Sequence, residues 1–205
     1  MLPVRARPDL EQLGSGYGGW IVPTDLLSRD SVCWCAGVGE DITFDLALIQ
    51  RFGCHAWGFD PTPRAVRHVK IHAVHEPRYH FIPAGLWSED TTMRFFAPQD
   101  SSHVSHSIVN LQRTEEGFDA PCRTVASLMK ELNHVRLDLL KLDVEGAEYV
   151  VLDSLDRDDI RPLILCVEFD QPSPLREVLA ASRRLIARGY NLVAIDGWNF
   201  TFVSE

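Results

Sequence analysis

Short apolar runs alternate along this chain with stretches of helical spacing. Apolar runs predict strands at 31–36, 54–59, 79–86, 139–145 and 162–168, and a further strand at 91–96. Between them, Ile42, Leu46, Ile49 and Phe52 lie on one helical stripe that ends at Gly53. Pro61 opens a second helix reaching His72, and a short one spans 124–132. Ala147 to Leu155 repeats the helical spacing through Val150, Val151 and Leu155. The last helix carries Leu175, Val178, Leu179, Ser182, Leu185 and Ile186, and stops at Gly189. Residues 191–195 and 199–203 read as a hairpin around Asp196-Gly197. Strands alternating with helices, then two strands in succession, predict an α/β fold. Its sheet is doubly wound and mostly parallel, with an antiparallel strand at the end.

Two stretches fall outside this alternation. Residues 1–30 are expected to be an irregular arm, and Gly14 to Trp20 is rich in glycine. That segment serves either as a surface arm anchored by Trp20 or as a lid in which Tyr17 or Trp20 covers a ligand. Residues 101–107 read as a polar loop. One domain at 31–205 accounts for the rest.

The chemistry concentrates where strands give way to helices. Leu139 to Leu152 runs from a buried strand into Asp143, Glu145, Gly146 and a helix. In open α/β sheets such corners face the ligand, although acids near a helix start also serve as plain caps. A second corner reads Gly37-Val38-Gly39-Glu40-Asp41, and Asp60 ends the following strand, where an acid can hold ribose hydroxyls. A dinucleotide fingerprint requires a third glycine at position 42, which is Ile42. Glu40 and Asp41 would repel a pyrophosphate. The pair suits a cationic ligand with a ribose and no phosphate, a description that S-adenosylmethionine meets and NAD does not.

Four segments carry a family resemblance: Lys141-Leu-Asp-Val-Glu-Gly-Ala-Glu148, Gly37-Val-Gly-Glu-Asp-Ile-Thr-Phe-Asp45, Phe59-Asp-Pro-Thr-Pro63 and Ser105-His-Ser-Ile-Val-Asn110. In them the chain resembles the FkbM-type S-adenosylmethionine-dependent methyltransferases. The resemblance implies the class I methyltransferase fold, a Rossmann-like sheet of seven strands with the last antiparallel. It also implies S-adenosylmethionine as cofactor and O-methylation of a small molecule, sugar or glycolipid. Gly37 and Gly39 would line the methionine part, and Asp60 would hold the ribose. Ala84 to Trp87, including Gly85 and Leu86, with Glu89 or Asp90, would border the adenine. Asp143 would lie near the reacting methyl; on the lid reading of the N-terminal segment, Trp20 joins the cofactor-binding residues. Cys35 stands where many methyltransferases place an acid, which leaves Glu40 or Asp41 to face the ammonium group.

Transfer to a hydroxyl calls for positioning and a base. The candidate catalytic residues are Asp143, Glu145 and His106. The two carboxylates could instead hold a divalent cation. Histidines offer no metal site of their own: His72 and His75 are three apart with no third ligand in view. A non-catalytic binding or scaffold module and an NAD-dependent oxidoreductase are the alternative readings.

Charge and cysteines narrow the surroundings. The 205 residues carry a formal charge of −9, with 45% apolar and 24% charged residues, which disfavours nucleic acid and anionic membrane as partners. Arg183, Arg184 and Arg188 read as the solvated face of a helix. No apolar run reaches the ~20 residues of a membrane span, and the first residues lack a secretory signal. Five cysteines at unpatterned positions predict buried free thiols and a reducing, cytoplasmic setting, with Cys33, Cys35 and Cys166 as small core groups.

Overall fold

Near-continuous apolar strands of this kind are stable only when covered on both faces, and the structure covers them. It is a computed structural model that describes residues 2–96, 117–169 and 174–204. In chain order the strands are β1 (Leu10–Leu13), β2 (Trp20–Pro23), β3 (Val32–Ala36), β4 (His55–Phe59), β5 (Tyr79–Ile82), β6 (Gly85–Leu86), β7 (Thr91–Phe96), β8 (Gly117–Arg123), β9 (Leu139–Leu142), β10 (Ile164–Glu168), β11 (Tyr190–Asp196) and β12 (Asn199–Ser204). The helices are α1 (Thr43–Phe52), α2 (Pro63–His72), α3 (Val125–Leu132), α4 (Glu148–Arg157) and α5 (Leu175–Ala187).

Seven strands form the main sheet in the order β11-β12-β10-β9-β3-β4-β5. Neighbours from β10 to β5 run parallel, and β12 is antiparallel to both β10 and β11. From β3 the chain winds outward through β4 and β5, and then returns through β9 and β10 on the other side. The direction of winding therefore reverses between β3 and β9, and a crevice opens there at the carboxyl ends. This strand order, with its antiparallel member, is the class I methyltransferase fold.

Alternation along the central strands divides the core. Trp34, Ala36, Leu140 and Leu142 point to one face and pack with Leu128, Val151 and Val178 from α3, α4 and α5. Cys33, Cys35, Leu139 and Cys166 point to the other, against Phe44 and Leu48 of α1 and Trp20 and Val22 of β2. All five cysteines are free and buried, so the thiols do serve as small core groups. On α1 the buried residues are Phe44, Asp45, Leu48 and Ile49, whereas Leu46 and Phe52 are only partly buried. The apolar stripe is thus turned from its expected position, because α1 also packs under the N-terminal hairpin.

That hairpin is the main departure from expectation. Residues 10–23 are not irregular: β1 and β2 pair antiparallel from Leu10↔Pro23 to Leu13↔Trp20. A second departure is that the expected strand over 79–86 breaks at Pro83. Proline offers no N–H to a ladder, and the Ala84 N–H turns back to the Ile82 carbonyl at 2.8 Å. Gly85–Leu86 then joins a separate three-stranded sheet, β6-β8-β7. Arg184 and Arg188 are more than a solvated face, since they bridge α5 to Asp153, Asp156 and Asp159 at the end of α4. His68 and His72 stack on α2, and His75 lies beyond its end.

Candidate active site

The turn after β3 must bend sharply to reach α1, and Gly37 makes this possible. Gly37 adopts φ 79°, and a Cβ there would sit 1.6 Å from the Asp143 carbonyl oxygen. The two corners therefore touch, backbone to backbone, across the crevice. Gly39 also has positive φ, 55°, but faces open space.

Asp60 holds the glycine turn from the side. Its Oδ2 accepts the Val38 N–H at 3.1 Å and the Gly39 N–H at 2.8 Å, while Oδ1 accepts the Thr62 N–H at 2.8 Å. Asp41 holds the start of α1: its Oδ1 accepts from the Thr43 N–H and hydroxyl, and its Oδ2 accepts from the Ser15 hydroxyl. The Ser15 Oγ in turn accepts the N–H groups of Tyr17 and Gly18. The glycine-rich loop is thereby pinned over α1, with Tyr17 86% exposed at its tip.

Beneath lies a cavity of about 300 Å³, lined from these elements and from the β9 corner. Its acids are Glu40, Asp41, Asp60, Asp143, Glu145 and Glu168. Among the described lining residues Lys141 is the only cation. Gly37, Gly39, Gly85 and Leu86 line it too, and Tyr17, Phe59 and Phe95 add aromatic wall.

Lys141 interrupts the apolar β9 run and is 5% exposed. Its ammonium donates to the Gly37 carbonyl at 2.7 Å and pairs with Asp143 Oδ2 at 2.9 Å. Burial alone would push the ammonium down, but Asp143 and Asp45 outweigh it and keep it charged. Burial also pushes Asp143 up, yet the Lys141 charge and contacts with Glu168 and Lys141 hold it below the usual carboxylate range. Asp45, on the buried side of α1, is pushed up to about 6 by burial despite Lys141. Its Oδ1 has no hydrogen-bond partner of good geometry among the described residues.

Some expected residues lie elsewhere. Trp20 does not cover the cavity: it is 2% exposed, packed in the core, with the Lys141 ammonium 6.0 Å from its ring. Tyr17 takes the rim position instead. Asp90 caps α3, accepting from the Thr124 N–H and the Ser127 hydroxyl, and neither Glu89 nor Asp90 borders the cavity. His106, with the Ser105–Asn110 segment and the 101–107 loop, lies outside the described residues. Glu168 and Lys141 join the site without having been singled out. Glu168 was legible as an acid ending a strand, and Lys141 as a charge inside an apolar strand. Among the described residues no group of three or more histidines, cysteines or acids is arranged to hold a metal ion.

A doubly wound sheet with an antiparallel last strand, its cavity at the switch point, fits the class I methyltransferase fold. Residues 35–192 match the methyltransferase FkbM domain, and the chain belongs to that family. A probable methyltransferase-like protein 24 of Rattus norvegicus is 26% identical over 159 residues. That match covers 77% of this chain and 38% of the relative, so the chain spans well under half of that protein's length. Among solved structures, a precorrin-6y C5,15-methyltransferase from Geobacter metallireducens aligns with a TM-score of 0.47 at 11% identity, over 86% of this chain and 81% of that one. Aeropyrum pernix fibrillarin, solved with bound S-adenosyl-L-methionine, aligns at 0.46 and 10% identity, over 98% and 84%. No described helix is long and apolar enough to cross a membrane.

Proposed function

We propose that this methyltransferase uses S-adenosylmethionine and transfers its methyl group to a hydroxyl of a small molecule, sugar or glycolipid. One observation carries the choice of cofactor: the N–H groups of Val38 and Gly39 point at the Asp60 carboxylate. In dinucleotide sites the glycine-turn donors face a pyrophosphate. Here an anion already occupies them, and the cavity beyond is lined by carboxylates. Such a surface repels phosphate and attracts a ligand carrying ammonium and sulfonium charge.

When bound, S-adenosylmethionine supplies a methyl group on positively charged sulfur, already a strong electrophile. The residues of the chain then position and deprotonate. Asp60 keeps an acceptor site on Oδ1 for a ribose hydroxyl beyond its three backbone contacts. Gly85 and Leu86 border the adenine end. Asp143, Glu145 and Glu168 also line the cavity. The cofactor would supply the methyl group to the acceptor oxygen, and the hydroxyl proton would pass to one of these carboxylates or to His106. Asp143 stays ionised beside Lys141, so it orients the hydroxyl as an acceptor, and Glu145 on the same wall is the second carboxylate in reach of the proton. Lys141 also disfavours a divalent cation on Asp143.

Calorimetric titration with S-adenosylhomocysteine and with NAD tests the reading. The expected result is micromolar binding of the first and none of the second, with Asp60→Ala weakening binding at least tenfold, since three backbone donors lose their acceptor. No binding of S-adenosylhomocysteine at millimolar concentration would favour a non-catalytic module.

A further inference from the structure

The corner between β9 and α4 carries a strained residue. Glu145 lies at φ 53° and Gly146 at 99°. A left-handed backbone is disfavoured at a glutamate and persists only where the surroundings impose it. Glu148, the first residue of α4, is 2% exposed. Its Oε1 accepts the Val144 N–H at 2.7 Å, and its Oε2 accepts the Gly146 N–H at 2.9 Å. These donors belong to the peptide planes on either side of Val144 and Glu145, so the one carboxylate fixes how those planes are turned.

An ordinary acid in a first helical turn stays near solvent and answers the helix dipole. Glu148 instead reaches back out of its helix, at a site where Ala147 offers no side-chain cap. Burying a carboxylate is costly unless its lone pairs are used, and burial pushes this one up to about 7. The corner it grips supplies Asp143, Val144, Glu145 and Ala147 to the cavity wall, and meets Gly37 across the crevice.

We propose that Glu148 is a positioning residue, whose buried carboxylate holds Glu145 in its left-handed conformation and so sets the cavity wall from Asp143 to Ala147. The proposal rests on the reading of that cavity as the cofactor site. It predicts a specific rescue. Glycine enters the left-handed region without cost, so Glu145→Gly should make Glu148 dispensable to the corner.

A double-mutant cycle of Glu148→Gln and Glu145→Gly, read by two measurements, tests it. The first is amide hydrogen exchange at Val144 and Gly146. The second is calorimetric titration with S-adenosylhomocysteine. Glu148→Gln should speed exchange at both amides at least tenfold while β9 keeps its protection, and should weaken binding about tenfold, matching release of the strain. In the Glu145→Gly background the same change should cost less than about twofold in affinity. Equal losses in both backgrounds would overturn the proposal, leaving Glu148 a general support of the fold. Unchanged exchange at Val144 and Gly146 would also overturn it. If the wild type binds no S-adenosylhomocysteine, the cofactor reading fails, and the exchange measurement alone upholds or overturns the role of Glu148.

Discussion

Gly37 and Gly39 share a turn, a sign of φ and a place in the cavity wall, yet they answer to different constraints. At Gly37 an added methyl would overlap the Asp143 carbonyl, which is backbone and cannot yield. At Gly39 a methyl meets nothing, and only the positive φ is penalised. Gly37→Ala should therefore destabilise by more than about 4 kcal/mol, whereas Gly39→Ala should cost about 1 kcal/mol. Urea denaturation of the two variants separates them. Comparable costs would show that the contact between Gly37 and Asp143 is not the constraint. A Gly-x-Gly pattern in a sequence marks both positions alike, because the difference arises from a residue more than a hundred positions away.

At the scale of elements, Ser15 joins the N-terminal hairpin to α1. Its hydroxyl donates to Asp41 at 2.6 Å and accepts from Tyr17 and Gly18, and its N–H reaches the Thr43 hydroxyl at 2.8 Å. Ser15→Ala keeps the last contact and loses the other three. The cost should be about 1–2 kcal/mol, with faster amide exchange across 15–18 and severalfold weaker S-adenosylhomocysteine binding. Intact protection of that loop would show that glycine packing alone holds it. This element also marks how far the sequence could be read. Elements with strong periodicity, such as β3, α3, β10 and α5, stand within two residues of where the pattern placed them, since burial on one face enforces that pattern, while β9 starts at the expected Leu139 but ends at Leu142 and not at residue 145. The hairpin over 10–23 was hidden because glycines fill its turn and only Leu13, Trp20, Val22 and Pro23 of its strands bury strongly. β8 was hidden by Pro121, which argues against a strand even though Asp119 and Pro121 alternate with Phe118, Ala120 and Cys122. The site was legible wherever an acid ends a strand, as at Asp60, Asp143 and Glu168. It was not legible where the role depends on a partner, as for the Lys141 bridge between Gly37 and Asp143 or for Trp20, whose burial under the hairpin removes it from the cavity.

At the scale of the whole molecule, the buried charges link folding to pH. Asp45 has little access to water from α1, and Lys141 only partly offsets its desolvation, so its carboxyl releases a proton near 6 in the folded state, against an ordinary 3.8. Between those values the folded chain binds more protons at this site than the unfolded chain. Stability contributed by Asp45 therefore falls as pH rises through that window, by an amount on the order of 3 kcal/mol when complete. Glu148 adds to the same trend, since it is raised from 4.5 to about 7. Asp143 works in the opposite sense, because its depressed carboxyl contributes stability that is lost only as pH falls below the usual carboxylate range. Asp45→Asn removes one term and leaves the other two in place. Thermal unfolding of wild type and variant at pH 4.5 and 7.5 isolates it: relative to wild type, the variant should gain stability toward the higher pH. A difference between the two proteins that does not change with pH would mean that the Lys141 charge on β9 fully compensates the Asp45 carboxylate on α1.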